Sequence, residues 1–354
     1  MMVRLGDVCA ISASAKENPD EYVWLLNLDM VEQQTGRILQ YVYVPKEEAV
    51  GSIIRFDTDN VLYSKLRPNL NKVVLPVKDG FATSELLPLR PDTTVLSKEY
   101  LATYLRSSIF VAWATSKATG AKMPRLASKE LLNKAIPLPS LAEQKRIASV
   151  IGTIDNLIAL HKRQLAKLDE LVKARFVELF GDPIKNTQRR PVLPFFEVVT
   201  MQRGFDLPIN DRDHEGKIPV FGSNGVLDYH NIAKIQGGGV ITGRSGTIGK
   251  VYYTENDYWP LNTTLFSANT HGNNIVYLSY LLELYNLSRF AEGSGVPTLN
   301  RNVFHYKPII SIPLPEQERF AAFVQQIEKL RLTIRQRLDK METLKRALMQ
   351  EYFG

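Results

Sequence analysis

Two stretches of this chain are copies of one another. Glu143-Gln-Lys-Arg-Ile-Ala opens the first and Glu316-Gln-Glu-Arg-Phe-Ala the second, and both close on Phe-Gly, at Phe180-Gly181 and Phe353-Gly354. The offset is 173 residues at both ends, so the copies run in register without a gap. In the first, Ile147, Ile151, Ile154, Ile158, His161, Leu165, Leu168, Val172, Arg175 and Leu179 are spaced alternately four and three. The second gives Phe320, Val324, Ile327, Arg331, Ile334, Leu338, Met341, Lys345, Leu348 and Tyr352 at the same places. This is the heptad pattern of a coiled-coil seam. Each helix would span ~57 Å at ~1.5 Å per residue. Such helices must pair, either with each other within the chain or with helices of partner subunits. His161, Arg175, Arg331 and Lys345 break the apolar line at different depths, which favours one fixed register over an interchangeable homodimer. An Ile-Pro-Leu-Pro run, Ile136 to Pro139 and Ile312 to Pro315, precedes each helix. Because proline disfavours α geometry in the residue before it, the chain should arrive extended.

A chain of 354 residues leaves room for a globular unit in front of each helix. The division expected is 1–139, 140–182, 183–315 and 316–354: globule, spacer helix, globule, spacer helix. The globular stretches lack sustained helical periodicity and carry short β-like runs such as Tyr41-Val-Tyr-Val44, Val73-Val-Leu75, Val240-Ile-Thr242 and Val251-Tyr-Tyr253, punctuated by Gly and Asn. They are loosely alike. Asn71-Lys72-Val73-Val74 lines up with Gly249-Lys250-Val251-Tyr252, Thr83-Ser84 with Thr263-Thr264, Tyr100-Leu101 with Tyr277-Leu278, and Pro124-Arg-Leu126 with Pro297-Thr-Leu299. Closely alike helices with diverged globules are what two halves would show if they shared one spacer role and bound different targets. The fold class expected is α/β (α+β), with two similar domains and two long helices pairing as an antiparallel coiled coil.

The formal charge of +7 invites a polyanionic partner, but no basic tail exists, so an anion-binding surface must be made by folding. Cys9 stands alone, which excludes an intrachain disulfide and a multi-cysteine metal knuckle and points to a reducing compartment. The first residues carry no apolar signal core and no window approaches a membrane span, so a cytoplasmic protein is expected.

Catalytic readings fail on spacing. An adenine methyltransferase needs an Asn/Asp-Pro-Pro-aromatic clamp and a cofactor loop, and neither is present. Gly237-Gly-Gly239, Gly243, Gly246 and Gly249 fit neither phosphate-binding fingerprint, because Lys250 is followed by Val251; a turn between strands is the better reading. Asp92 with Glu143 and Lys145 could suggest a nuclease, yet the second copy reads Glu316-Gln-Glu318 without the lysine. Negative charge near a helix N-terminus explains the glutamates. The five histidines show no His-x-x-x-His pair for zinc.

The order of globule, Pro-Leu-Pro-x-x-x-Glu-Gln-x-Arg-Ile-Ala, heptad helix ending Phe-Gly-Asp-Pro, second globule and second Pro-Glu-Gln-x-Arg helix resembles the specificity subunit of type I restriction-modification enzymes, over the whole chain. Tyr63-Ser-Lys-Leu-Arg-Pro-Asn69 and Ile241-Thr-Gly-Arg-Ser-Gly-Thr-Ile-Gly-Lys250 are similar to segments of that family's target-recognition domains. The resemblance implies a DNA reader that performs no chemistry. Each recognition domain reads half of a split, asymmetric site in double-stranded DNA, and the helices set the distance between halves and dock two methyltransferase subunits. Those partners carry S-adenosylmethionine and methylate adenine; motor-nuclease restriction subunits then join. No cofactor is expected in this chain.

DNA contacts divide into phosphate contacts that position and base-edge contacts that specify. Candidates in the first globule are Ser64, Lys65, Arg67, Asn69, Asn71 and Lys72, with Lys117, Thr119, Lys122 and Arg125 on a later Gly-containing loop. In the second, Arg244, Ser245, Thr247 and Lys250 correspond to the first cluster, and Ser294, Asn300 and Arg301 to the later loop. Gln202, Arg203, Ser223 and Asn224 are weaker additions. Each taken alone is also a plausible solvated loop residue; the set gains weight from matching places in two copies. Tyr63, Trp113 and Trp259 could stack on bases, although aromatics beside strands more often belong to the core. Two other classes stay open at this stage: a coiled-coil scaffold with protein-binding globules, and a self-contained nuclease.

Overall fold

The computed structural model describes residues 1–15, 20–293 and 297–354, and divides into two compact units, residues 1–161 with 337–354 and residues 162–336. In the first unit, strands Cys9–Ile11, Leu86–Pro91, Val61–Ser64 and Val73–Val74 form an antiparallel sheet in that spatial order. A second sheet has the order Val42–Pro45, Tyr22–Leu26, Gly80–Thr83, Ile53–Phe56, with its two central strands parallel. The helix Lys98–Leu105 closes over the first sheet: Tyr100, Leu101, Tyr104 and Leu105 are buried, and the Ser97 hydroxyl caps it by accepting from the Tyr100 N–H.

Buried Asp57 ties this unit together. Its carboxylate accepts from Ser14 Oγ at 2.7 Å, the Arg90 guanidinium at 2.6 Å and the Asp59 N–H at 2.9 Å. Burial alone would raise its pKa; the hydroxyl, the guanidinium and the main-chain donor overcome that and lower it to about 2. A carboxylate depressed in the folded state contributes stability that is fully present above its unfolded pKa, near 4, and is lost as pH falls through about 2. Asp57→Asn is therefore expected to remove this carboxylate's share of the acid-induced loss of stability between pH 4 and 2, while lowering the unit's stability at pH 7. Urea titrations at stepped pH, followed by hydrogen exchange in the strands of this unit, measure both.

The second unit repeats the plan. Strands Thr200–Arg203, Thr264–Asn269, Gly239–Gly243 and Val251–Thr254 form an antiparallel sheet of matching order, and Gly225–His230, Ile218–Gly222 and Trp259–Pro260 a second sheet with one parallel pairing. The helix Ile275–Tyr285 is capped by the Asn274 side chain, which accepts from Val276 and Tyr277. The glycine-rich stretch is a turn, as its spacing suggests. Gly246 sits at φ +79, and a Cβ on Gly243 would come 1.7 Å from the Thr247 carbonyl oxygen. One sequence correspondence shifts: Lys65 N–H donates to the Glu85 carbonyl and Arg244 N–H to that of Thr263, so Thr263 matches Glu85 rather than Thr83.

The two repeats are helices Leu141–Phe180 and Leu314–Phe353, of 40 residues each and still offset by 173. Before each, the chain arrives as a strand, Ala135–Pro137 paired with Met2–Arg4 and Pro308–Ile310 paired with Val192–Pro194. The helices run antiparallel. Within the first unit Arg146 lies over the Tyr352 ring and Asp155 pairs with Lys345 at 2.6 Å, so an advance along one helix is a retreat along the other. Within the second, Asp169 pairs with Arg331 at 2.5 Å and Phe176 meets Phe320, again in opposite senses. Arg331, in the seam and only 7 % exposed, also binds Glu328.

The seam residues named from spacing are buried or half-buried, but three buried aromatics of these helix ends, Phe176, Phe180 and Phe353, lie beside that line. Phe176 and Phe180 pack on Tyr277 and Phe320, and Phe353 packs on Tyr100 and Tyr104. The glutamine of each Glu-Gln motif is fully buried. Gln144 Oε1 accepts from the N–H of the cap residue Ser97 at 2.8 Å, and its Nε2 donates to the Val95 and Pro139 carbonyls. Gln317 repeats this on Asn274 N–H at 2.9 Å, the Ile312 carbonyl and the Asn273 side chain. Each globule is thus gripped by the N-terminal end of the helix that follows it and by the C-terminal end of the other.

Candidate nucleic-acid interface

In the first unit the strand Val61–Ser64 runs into a turn where Arg67 takes φ +49 and Asn71 φ +51, flanking the short helix Pro68–Leu70. The later loop lies on this turn: Leu126 N–H donates to the Lys65 carbonyl at 2.9 Å and Arg67 N–H to that of Pro124 at 2.7 Å, and Thr119 and Arg125 pair main chain to main chain. Arg67, Asn69, Lys117, Thr119, Lys122 and Arg125 are exposed there, with Lys65 half-buried. The Arg125 guanidinium is closed against the Glu85 carboxylate at 3.1 Å.

Three candidates need correcting. Ser64 is buried and its hydroxyl donates to the Leu66 carbonyl. Asn71 is buried and its amide donates to Gln34 and to the Arg106 carbonyl. Lys72 Nζ donates inward to the Leu28 carbonyl at 2.5 Å, and desolvation lowers its pKa, with Asp29 opposing. These side chains build the turn; the left-handed residues Arg67 and Asn71 decide which polar groups of this stretch face inward, and spacing does not record it.

The second unit has the same joint. Leu299 N–H donates to the Arg244 carbonyl at 2.8 Å, and Ser245 bridges Thr298. Arg244, Ser245 and Thr247 are half-buried, and Lys250 is exposed with Nζ on the Asn224 side chain at 3.0 Å. Asn300 caps the helix Arg301–Phe304, and Arg301 donates to the Met201 carbonyl. Ser294 lies outside the described residues; Ser223 is half-buried. Arg244, Asn300 and Arg301 join Gln202, Arg203 and Asp206 around a cleft of about 570 Å³. Gln202 and Arg203 ranked low from sequence because only the pairing of Thr200–Arg203 with Thr264–Asn269 brings them here.

The candidate stacking aromatics are packed. Tyr63 is core against Phe110, Trp113 packs on Phe110 with Lys134 over its ring, and Trp259 abuts His230. The carboxylates of the nuclease reading are engaged locally, Asp92 with Thr94 and Glu143 with Arg146. Among the described residues no helix is long and apolar enough to cross a membrane, and no group of His, Cys, Asp and Glu could hold a metal ion.

Two globules of one topology, each presenting a donor-bearing joint, match a known sequence family: the type I restriction modification DNA specificity domain, over residues 1–170 and 195–343. The chain belongs to this family. Among curated proteins it is similar to the type I restriction enzyme EcoDI specificity subunit of Escherichia coli, 23% identical over 180 residues covering 49% of this chain and 40% of that protein. It also resembles the MjaVIII specificity subunit of Methanocaldococcus jannaschii, 31% identical over 103 residues covering 29% and 24%. The matched stretches thus span less than half the length of these relatives. Among solved structures, the S subunit of a type I restriction-modification system from M. genitalium superposes with a TM-score of 0.68 at 13% identity, covering 100% of this chain and 96% of that one. A chain from a study of complex assembly and conformational transition in a type I system gives 0.61 at 17% identity, covering 99% and 97%. These likenesses establish the specificity-subunit fold.

Proposed function

We propose that this chain is the non-catalytic, DNA-reading specificity subunit of a cytoplasmic type I restriction-modification complex. Residues 1–139 and 183–315 are its target-recognition domains, each reading one half of a split duplex site, and 140–182 and 316–354 its spacer helices. S-adenosylmethionine and adenine methylation belong to two methyltransferase subunits docked on it, and restriction subunits complete the complex. The observation that carries this reading is the repeated joint: in both units a Pro-x-Leu loop is hydrogen-bonded to the end of the same strand, bringing Arg67, Asn69 and Lys122 to the surface in one and Arg244, Asn300 and Arg301 in the other. Exposed Leu157 and Leu330, and likewise Leu171 and Leu344, occupy equal positions in the two helix copies, which supports one kind of partner bound twice.

Arg67→Ala or Asn69→Ala is expected to weaken recognition of one half-site and Arg244→Ala or Thr247→Ala the other, by ~1–3 kcal/mol for a lost base contact. Affinities on duplexes altered one half at a time measure this, and equal losses on both halves for every variant would contradict it. The purified chain alone should transfer no methyl group from S-adenosylmethionine to DNA; transfer in the absence of any other subunit would overturn the reading.

A further inference from the structure

The cleft of the second unit carries a finer statement, which rests on the DNA-reading function above. We propose that it takes the major-groove edge of a guanine, read by Arg244 and Arg203. Both residues line the cleft, and neither side chain has a hydrogen-bond or ion-pair partner among the described residues. Both are held at the main chain. Arg244 donates its N–H to the Thr263 carbonyl and accepts at its own carbonyl from Leu299 N–H, while Arg203 is registered opposite Leu265 in the sheet. Three other polar residues of the cleft are engaged: Arg301 donates to the Met201 carbonyl, Asp206 accepts from the Asn262 amide, and the Asn300 side chain caps a helix.

The first unit supplies the contrast. One of the two arginines at its joint, Arg125, is closed against Glu85, and Thr263 stands where Glu85 does, so no carboxylate at that position competes for Arg244, which takes the place of Lys65. A guanidinium offers five N–H donors and no acceptor. Of the four base edges in the major groove, guanine alone presents two adjacent acceptors, N7 and O6, whereas adenine pairs an acceptor with a donor and thymine an acceptor with a methyl group. Two unpaired guanidinium groups anchored at a concave surface therefore select guanine.

Selection from a pool of randomised duplexes, with this chain and its Arg244→Ala, Arg203→Ala and Arg244→Gln variants, tests this. The wild-type chain should enrich two sequence blocks, with guanine in one of them. Either alanine variant should lose about tenfold or more of the preference for guanine at a position in that block. Arg244→Gln should move the preference at the Arg244-dependent position toward adenine, whose edge a glutamine amide matches. The other block should stay unchanged, which also reports that the variant is folded. Uniform weakening across all sequences, with a salt dependence shallower by about one unit of slope, would make these phosphate contacts and overturn the proposal. Two intact blocks with unaltered guanine preference would overturn it while leaving the DNA-reading function in place. If the wild-type chain enriches no sequence, both fall together.

Discussion

Replacing Phe353 by alanine is expected to destabilise the unit formed by residues 1–161 and 337–354 by about 3–5 kcal/mol, the range for truncating a buried phenylalanine. The ring is 6 % exposed and lies 5.6 Å from the ring of Tyr100 and 5.4 Å from that of Tyr104, on the capped helix Lys98–Leu105. Phe180→Ala is the matched experiment in the other unit, where the ring meets Tyr277 at 5.3 Å and Phe320 at 5.7 Å. A chain of two units need not unfold in one step, so a single melting temperature is the wrong readout. Hydrogen exchange resolved by peptide is the right one. Phe353→Ala should lower protection in residues 98–105 and spare 275–285, and Phe180→Ala should do the reverse. Equal loss of protection in both segments from either substitution would show that the phenylalanines support the long helices themselves rather than separate globules.

Gln144→Glu, which keeps size and shape, is expected to be worse than Gln144→Ala. In the alanine variant the Ser97 N–H and the Val95 and Pro139 carbonyls lose their partner, each buried group costing about 1–3 kcal/mol when left unmade. In the glutamate variant an oxygen instead faces two carbonyl oxygens in a position with 0 % exposure, so the group must hold a proton or be repelled. A protonated carboxyl has one donor for two acceptors. Gln317→Glu should act in the same way on the segment beginning at Asn274, where the amide donates to Ile312 and Asn273. Chemical denaturation at pH 5 and pH 8 measures the difference, with the glutamate variants losing more at pH 8. Wild-type stability of Gln144→Glu at pH 8 would remove the amide from the list of groups that hold helix to globule.

The Glu-Gln motif shows how a sequence signal can be noticed for the wrong reason. The pair marks both helix starts, and helix-end electrostatics accounts for half-buried Glu143, which pairs with Arg146. The neighbouring glutamine carries the structural role, and its partner Val95 is 49 residues away. Among the candidate DNA contacts the same distinction recurs. Arg67 and Asn69 are exposed, whereas Ser64 and Asn71 of the same eight-residue run are buried, because the strand ends at Ser64 and the chain then passes through two left-handed residues. Glu85 carries no local signal, because the loop holding Arg125 folds onto it from 40 residues away.

The sequence by itself determined the two long helices and their phase, the number of globules and the extended entry into each helix. All of these are written in spacing along one dimension: a heptad repeat fixes a helix face, and an ungapped offset fixes equivalence. Only the tertiary structure decided which helix end grips which globule, which of two neighbouring polar side chains is free, and that Gln202 and Arg203 meet Arg244 and Arg301 at one cleft. A donor's availability depends on what lies opposite it, and those partners come from strands and loops far along the chain, where no local pattern records them.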